Sequence, residues 1–492
     1  MEVFFVLYLC FTMRPMKQYT LYFFLILLGS CGQDATTPST AKPSDDKQAT
    51  EVVLFAMNDM HGKIDRFSKI KPIIDAAKEA SDKVFLVSAG DVFSGNPIVD
   101  FHPEKGSPII SLMGAVGMDV SVLGNHEFDY GQEVLNQRMT QASFPFICAN
   151  VNASEGVLNA PAPYVVIEKD GFKIAFIGAV ENSSKGNLPL SHPKNMDGLS
   201  FESAAQVVAS FESNADIKAS DLVVALTHYG KEGDRALIDQ AATSGTSFVD
   251  LVVGGHNHML YNETYKKIPM IQTSAHMKYM AKLTLSVVEG VVASYDYELI
   301  DLSDNLQEDP AIADQIADYN NRPEFYTSLA TAAHDHTSSE TACFYTTALK
   351  ETTQSQLAVQ NYGGIRAKIS AGDIRPYDIY TIDPFGNGLE TYSVSVGSLK
   401  EFFSDNFSMA YSGLDISNEN GVLRIRQTPG GPILADSTHI KIAVNDYISN
   451  LNEEIFVDLI DRYELTTADY LISYLKAQQA AVSNEGCDRS ID

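Results

Sequence analysis

Only five cysteines are spread over 492 residues, too few for a disulfide-built scaffold. No pair shows the close C-x-x-C spacing of a zinc knuckle or a thioredoxin-like site. Thiol chemistry is therefore not expected here. Positive charge is scarce as well: 35 Lys and Arg face 63 Asp and Glu, a formal charge of −28 at pH 7. That balance argues against general attraction to nucleic acid polymers or anionic lipid surfaces, and an anionic substrate must find a local positive field. No apolar run near the N-terminus reaches the roughly 20 residues that span a bilayer, because Arg14 and Lys17 separate the apolar stretches 3–12 and 21–29. What remains is 45% apolar and 10% aromatic, the composition of a packed chain of two or three domains.

Arg14 and Lys17, the apolar stretch after them and Leu28-Gly29-Ser30-Cys31 read as a signal peptide over residues 1–30, started at Met13 or Met16. Leu-Gly-Ser-Cys resembles the lipobox of bacterial lipoproteins, which implies cleavage before Cys31, acylation of that cysteine and a lipid-anchored place in the bacterial cell envelope, periplasmic or surface-facing. The plainer alternative is an ordinary signal with Cys31 incidental. Residues 31–50, rich in Thr, Pro, Ser and Asp, read as a flexible tether. Export permits a disulfide. Cys148 lies in an apolar, strand-like run, so Cys343 and Cys487 are the candidate bridge, with free buried thiols as the alternative.

From Glu51 onward, short β-branched runs alternate with helical patterns, the mark of an α/β layer fold. Phe67, Ile70, Ile73, Ile74 and Ala77 recur at helical spacing between two such runs. The residues after the runs carry the chemistry. One run leads into Asn58-Asp59-Met60-His61-Gly62, the next into Gly90-Asp91, another into Gly124-Asn125-His126-Glu127-Phe128-Asp129, and two more into His228 and Gly255-His256-Asn257-His258. Each delivers Asp, Asn or His at the carboxyl edge of a buried strand, where open α/β sheets place ligand sites. Singly, each has a structural explanation as a helix cap, a turn or a hydrogen-bonded histidine. Together they offer oxygen and imidazole donors without thiolate, a set suited to two divalent ions such as Zn, Mn, Fe or Co.

In this order these segments resemble the motif set of the calcineurin-like metallophosphoesterases, and the fuller forms around 58–62 and 124–131 are similar to the 5′-nucleotidase branch. The resemblance implies a four-layer αββα catalytic sandwich. It also implies Asp59, His61 and His258 on one metal, Asn125, His228 and His256 on the other, and Asp91 bridging. Hydrolysis would then be direct attack by an activated water, with no covalent nucleophile. His126 follows a ligand, so it should project beside the metals and stabilise the transition state or protonate the leaving oxygen. Asp129 is placed to orient it and favour its protonated form. Glu127 is expected to serve structure.

Residues 301–336 read as a linker with a helix from Pro310 to Tyr319, and His334 and His336 as solvated loop residues. Beyond it, Asn361-Tyr362-Gly363-Gly364-Ile365-Arg366 and Asp383-Pro384-Phe385-Gly386-Asn387 lack the Lys-Ser/Thr ending of a P-loop. They resemble instead the substrate-binding C-terminal domain of 5′-nucleotidases, a smaller α+β unit expected over 337–492. By that resemblance Arg366 grips phosphate, Phe385 and Tyr447 stack on a base, and Asn361 and Asn387 hydrogen-bond the nucleoside. Two departures stand out. The family's Gly-Gly-Asp-Gly is replaced by Leu451-Asn452-Glu453-Glu454, leaving Glu453 as an approximate substitute for its acidic ligand, and the phosphate-binding Arg usual before the first helix is missing from 337–349.

The expected organisation is thus a signal peptide (1–30), a tether (31–50), a catalytic domain (51–300), a linker (301–336) and a substrate domain (337–492). The expected function is release of phosphate from nucleotides by a dinuclear metal-dependent hydrolase. Alternatives are a phosphodiesterase acting on cyclic nucleotides or nucleotide sugars, a thiosulfohydrolase relative, and a non-catalytic nucleotide-binding lipoprotein.

Overall fold

Alternation in the strand Thr50–Met57 sends Val52, Leu54 and Ala56 to one face and Val53, Phe55 and Met57 to the other, and both faces are buried. A strand covered on both sides belongs in the interior of a layered fold. The computed structural model, which describes residues 49–242, 247–406, 408–478 and 481–487, shows those layers. The expected signal peptide, Cys31 and nearly all of the tether lie outside the described residues.

One six-stranded sheet runs Val291–Asp301, Tyr279–Val288, Thr50–Met57, Val84–Ser88, Val120–Val122, Phe146–Ile147. A second runs Leu260–Tyr265, Ile268–Thr273, Leu251–Val253, Leu222–His228, Phe172–Val180, Tyr164–Lys169. In the first sheet the four strands from Thr50–Met57 to Phe146–Ile147 pair in parallel and the two at the other edge antiparallel, and in the second the four central strands pair in parallel between two antiparallel edge strands. Val52, Leu54, Phe85 and Val87 of the first sheet pack against Phe176, Leu222, Val224 and Leu226 of the second. Their outer faces are covered by helices, Phe67–Ala80, Ser107–Val116 and Gln132–Gln141 on one side, Ala204–Ser210 and Gly230–Ala241 on the other. This is the αββα sandwich.

The expected linker helix forms as Pro310–Asn320, capped by the Asp309 side chain on Ile312 N. It is docked, not free, with Ile312 and Ile316 buried against the helix Phe67–Ala80. The second lobe takes its first strand earlier than 337: Ala330–Ala332 pairs with Gly372–Ile374. Its main sheet runs Met409–Ser412, Leu357–Asn361, His439–Asn445, Gly388–Ser395, Leu459–Thr466. Helices Ser338–Thr353, Pro376–Ile382 and Thr467–Ala477 cover one face, and Val396–Asp405 with Asp446–Leu451 the other.

His334 and His336 correct the solvated-loop reading. Their rings stack at 4.7 Å and His336 is buried, its main-chain N–H donating to Ile369 O at 2.8 Å. The polar run around them is the entrance to a helix, where Thr337 and Glu340 form a reciprocal capping box. Of the two cysteine readings the bridge holds: Cys343 is joined to Cys487 across 144 residues. Closing so long a loop stabilises the fold by about 5 kcal/mol on a chain-entropy basis. Among the described residues no helix is long and apolar enough to cross a membrane.

Candidate metal centre

Strand ends from both sheets meet at one edge of the sandwich and carry Asp59, His61, Asp91, Asn125, His228, His256 and His258. Five of these, Asp59, His61, Asp91, His256 and His258, sit at φ between +49° and +90°, where a side-chain-bearing residue costs about 1–3 kcal/mol. Main-chain bonds hold them there: Asp59 N donates to Gly90 O and His61 N to Asp91 O, both at 3.0 Å, and His276 N donates to Asp59 O at 2.7 Å. Two glycines allow the crowding. A Cβ on Gly124 would fall 2.2 Å from Asp91 Oδ1, and one on Gly255 2.6 Å from Ala89 O.

The imidazoles are aimed from behind. Nδ1 of His61 lies 3.1 Å from Ser94 O, and Nδ1 of His228 lies 2.7 Å from Ala89 O. With Nδ1–H donating to a carbonyl, each ring turns its Nε2 into the cluster. His228 Nε2 reaches Asp91 Oδ2 at 3.0 Å, His258 Nε2 lies 3.4 Å from Asp59 Oδ1, and His61 Nε2 lies 3.9 Å from Asp91 Oδ2. On the far side His256 Nδ1 is 3.1 Å from Asn125 Oδ1. Asn58 orients Asp59 by donating to its Oδ2 at 2.6 Å. Glu127 has the structural part expected of it, accepting the N–H groups of Asp91, Val92 and Gly124.

The donor set fits divalent cations. Nε2 of His61 and of His258 approach to 2.9 Å, a repulsive meeting of lone pairs unless a proton or a cation lies against them. The ligand atoms of Asp59, His61 and His258, and those of Asp59, Asp91 and His228, each gather within 4.8 Å. Electrostatics agree. Burial holds His61 well below its ordinary value and lowers His256 and His258 to about 4, the neutral state a ligand requires. Burial also pushes Asp91 upward, but His228 and His126 outweigh it and keep the carboxyl well below the usual range. His228 is the exception: burial would lower it, yet Asp91 and Asp59 raise it to about 10, so its Nε2 holds a proton against Asp91 that a cation binding there would displace. Burial raises Asp59 to about 6.

His126 stands beside the cluster, with Nε2 3.9 Å from Asp91 Oδ2 and Nδ1 2.6 Å from Asp129 Oδ2. Burial opposes its charged form, but Asp129 and Asp91 together move it above its ordinary value. Its ring lies 5.8 Å from that of Phe385 in the second lobe, nearly parallel at 21°. Between the lobes is a cavity of about 650 Å³ that Asp91, Asn125, His126, Asp129, His256 and His258 line from one side. Asn361, Arg366, Phe385, Asn387 and Tyr447 line it from the other.

Glu453 does not join them. The helix Asp446–Leu451 ends at Asn452, and the turn after it leaves Glu453 exposed, away from the cavity. Several residues at the site have no readable signal in the sequence. Lys105 and Lys194 line the cavity, so Arg366 is not its only cation. Ser191 Oγ donates to Asp129 Oδ1 at 2.7 Å, and Asn125 Nδ2 to Leu190 O at 3.0 Å. Their partners lie more than sixty residues away along the chain, and a loop reading Leu-Pro-Leu-Ser-His-Pro gives no spacing to find them by.

Comparison with known proteins defines the class. The family model of the calcineurin-like phosphoesterases matches residues 53–260, and that of the 5′-nucleotidase C-terminal domain matches 315–471. The first lobe is thus a calcineurin-like metallophosphoesterase domain, of the class whose centre holds two divalent ions. The chain thus carries a calcineurin-like phosphoesterase domain followed by a 5′-nucleotidase C-terminal domain. The 5′-nucleotidase of Vibrio cholerae is 26% identical over 435 residues, 73% of this chain and 76% of that protein. The trifunctional nucleotide phosphoesterase protein YfkN of Bacillus subtilis is 23% identical over 499 residues, 86% of this chain but 33% of that protein, so this chain spans a third of its length. A solved structure, the 5′-nucleotidase precursor from Thermus thermophilus, superimposes with a TM-score of 0.75 at 20% identity, covering 88% of this chain and 98% of that one, a likeness of fold.

Proposed function

We propose that the protein is a dinuclear metal-dependent phosphohydrolase that releases phosphate from nucleotides. Asp59, His61 and His258 would hold one ion, Asn125, His228 and His256 the other, and Asp91 both. When bound, the ions supply Lewis-acid activation of a water and neutralise charge developing on the phosphoryl oxygens. The carrying observation is the single enclosure that joins the Asp91 and His126 cluster to Arg366, Phe385 and Tyr447: a place for a phosphate and a place for a flat ring in one cavity.

Within that enclosure the chain's own groups divide the work. Asp129 holds Nδ1 of His126, so the cationic ring presents Nε2–H toward the site of the phosphoryl group, where it stabilises negative charge and donates a proton to the leaving oxygen. The Arg366 guanidinium, 6.0 Å from the centre of the Phe385 ring, has no carboxylate in ion-pair range among the described residues and is free to take a phosphate oxygen. Asn361 Oδ1 is buried without a hydrogen-bond partner and offers an acceptor to a hydroxyl or amino group of a nucleoside. Phe385 and Tyr447 supply aromatic faces.

The test is a product screen with added Mn or Zn over nucleoside monophosphates, cyclic nucleotides and nucleotide sugars, reading both inorganic phosphate and the nucleotide or nucleoside formed. Fast release from monophosphates supports this reading; cleavage of the diesters alone replaces it. Phe385→Ala is expected to raise KM for a nucleoside monophosphate about tenfold, the loss of one stacking face of roughly 1–1.5 kcal/mol, with kcat little changed. An unchanged KM would remove Phe385 from the binding site.

We further infer export with a lipid anchor at Cys31, a reading supported by the Leu28-Gly29-Ser30-Cys31 segment and by the Cys343–Cys487 disulfide, which persists in oxidising compartments. Expressed in bacteria, the chain is expected in the membrane fraction and Cys31→Ser in the soluble one; equal partition of the two defeats the anchor.

A further inference from the structure

The loop 181–196 of the catalytic lobe touches both ends of the reaction. It is braced from within by Glu181, a buried carboxylate that accepts Ser183 N at 2.7 Å and also Leu190 N. Toward the metal centre, Leu190 O takes the Asn125 amide, Ser191 Oγ donates to Asp129, and Asn195 Nδ2 donates to Asp129 O at 2.9 Å. Toward the other lobe, Lys194 Nζ donates to Asp446 Oδ2, and His192 Nε2 lies 3.3 Å from Asp446 Oδ1. Lys185 Nζ reaches Leu451 O and Glu454 Oε2, both at 2.9 Å.

Asp446 and Leu451 are the two ends of one short helix. At six residues it is too short to persist on its own propensity, so its position depends on what grips it. Its own lobe contributes Gly388 N on Asp446 Oδ1 at 2.9 Å and the Asn445 cap on Ile448 N. The catalytic lobe contributes the lysines at both ends. Tyr447 follows Asp446 directly, and its ring lies 5.9 Å from that of His192.

We propose that Lys194 is a positioning residue: by holding Asp446 across the gap between the lobes it fixes Tyr447 over the cavity, so that esters carrying a planar heterocycle are bound in register with the His126–Asp129 pair. This rests on the reading of Tyr447 as a stacking residue. Residues 190–195 then join the ring site to the catalytic pair through one braced loop, and a phosphate ester without a flat ring cannot draw on the connection.

The test uses the full chain loaded with Mn and a nucleoside monophosphate as substrate. The Lys194 side chain is 50% exposed, so Lys194→Met should fold normally, and an unchanged melting temperature checks that it does. Loss of an ion pair of this exposure accounts for a roughly three- to fivefold rise in KM at constant kcat, while Lys194→Arg keeps the original KM. In a Tyr447→Ala background, Lys194→Met should add nothing further, because its effect passes through Tyr447. An unchanged KM in Lys194→Met alone, or a full additional rise in the Tyr447→Ala background, overturns the proposal. If Tyr447→Ala itself leaves KM unaltered, the stacking assignment fails first, which separates that failure from a failure of the clasp.

Discussion

Asp91→Asn is expected to lower turnover of phosphate esters by on the order of 10³-fold or more, and to leave fewer than two ions per chain in elemental analysis of purified protein. The geometry singles out this carboxylate. Its Oδ2 lies 3.0 Å from His228 Nε2 and 3.9 Å from Nε2 of both His61 and His126, so one oxygen faces both halves of the cluster. Its Oδ1 meanwhile accepts the His126 main-chain N–H at 2.9 Å. The amide keeps the shape but removes the negative charge and turns one oxygen into an N–H₂ that cannot ligate. The main-chain bonds that hold position 91, its N–H donating to Glu127 Oε2 and its carbonyl accepting from His61 N, do not involve the altered group, so far-UV circular dichroism should be that of the parent. Two ions per chain and near-normal turnover in Asp91→Asn would remove its bridging role.

The sequence makes the candidate ligands legible because each is local: a β-branched run, then a short polar segment with Gly and His at fixed spacing. It hides how they converge. Five of them are held at positive φ by hydrogen bonds to residues such as Gly90 and His276, a conformation that Asp and His adopt more often than most side chains but that their presence does not announce. The sandwich was legible for the same local reason, through alternation such as that of Val52 to Met57. The clasp was not, since Lys194 and Asp446 are 252 residues apart and a lone lysine in an acidic chain reads as a solvated charge. Likeness of motif carried furthest where side-chain direction is set by a strand end, as for Asn361 at the end of Leu357–Asn361. It failed at Glu453, where a loop after the last helical turn decides direction. His336 failed differently: its polar neighbours are polar because they cap a helix, not because they face water.

His126→Ala is expected to reduce kcat by roughly 10²–10⁴-fold, the range of a lost general acid, while leaving the ion content at two per chain. The second half of that expectation distinguishes a group acting on substrate from one that ligates. A companion variant reads the pair through pH. In the parent, burial opposes the charged ring of His126, yet Asp129 and Asp91 raise it above its ordinary value. The active form is the protonated ring, so activity is present below that value and falls as pH rises through it. Asp129→Asn withdraws the largest of the charges that favour protonation, leaving burial less opposed, so the alkaline limb of kcat/KM must move to lower pH. The carboxamide oxygen can still accept the Nδ1 proton, and its N–H₂ can donate to the Ser191 hydroxyl oxygen once that hydroxyl turns, so the ring should keep its orientation and kcat on the acid side should fall much less than in His126→Ala. Should the alkaline limb stay in place in Asp129→Asn while kcat in His126→Ala remains within about tenfold of the parent, short of the range for a lost general acid, proton donation belongs to some other group, and the 2.6 Å contact between the two side chains is an architectural one.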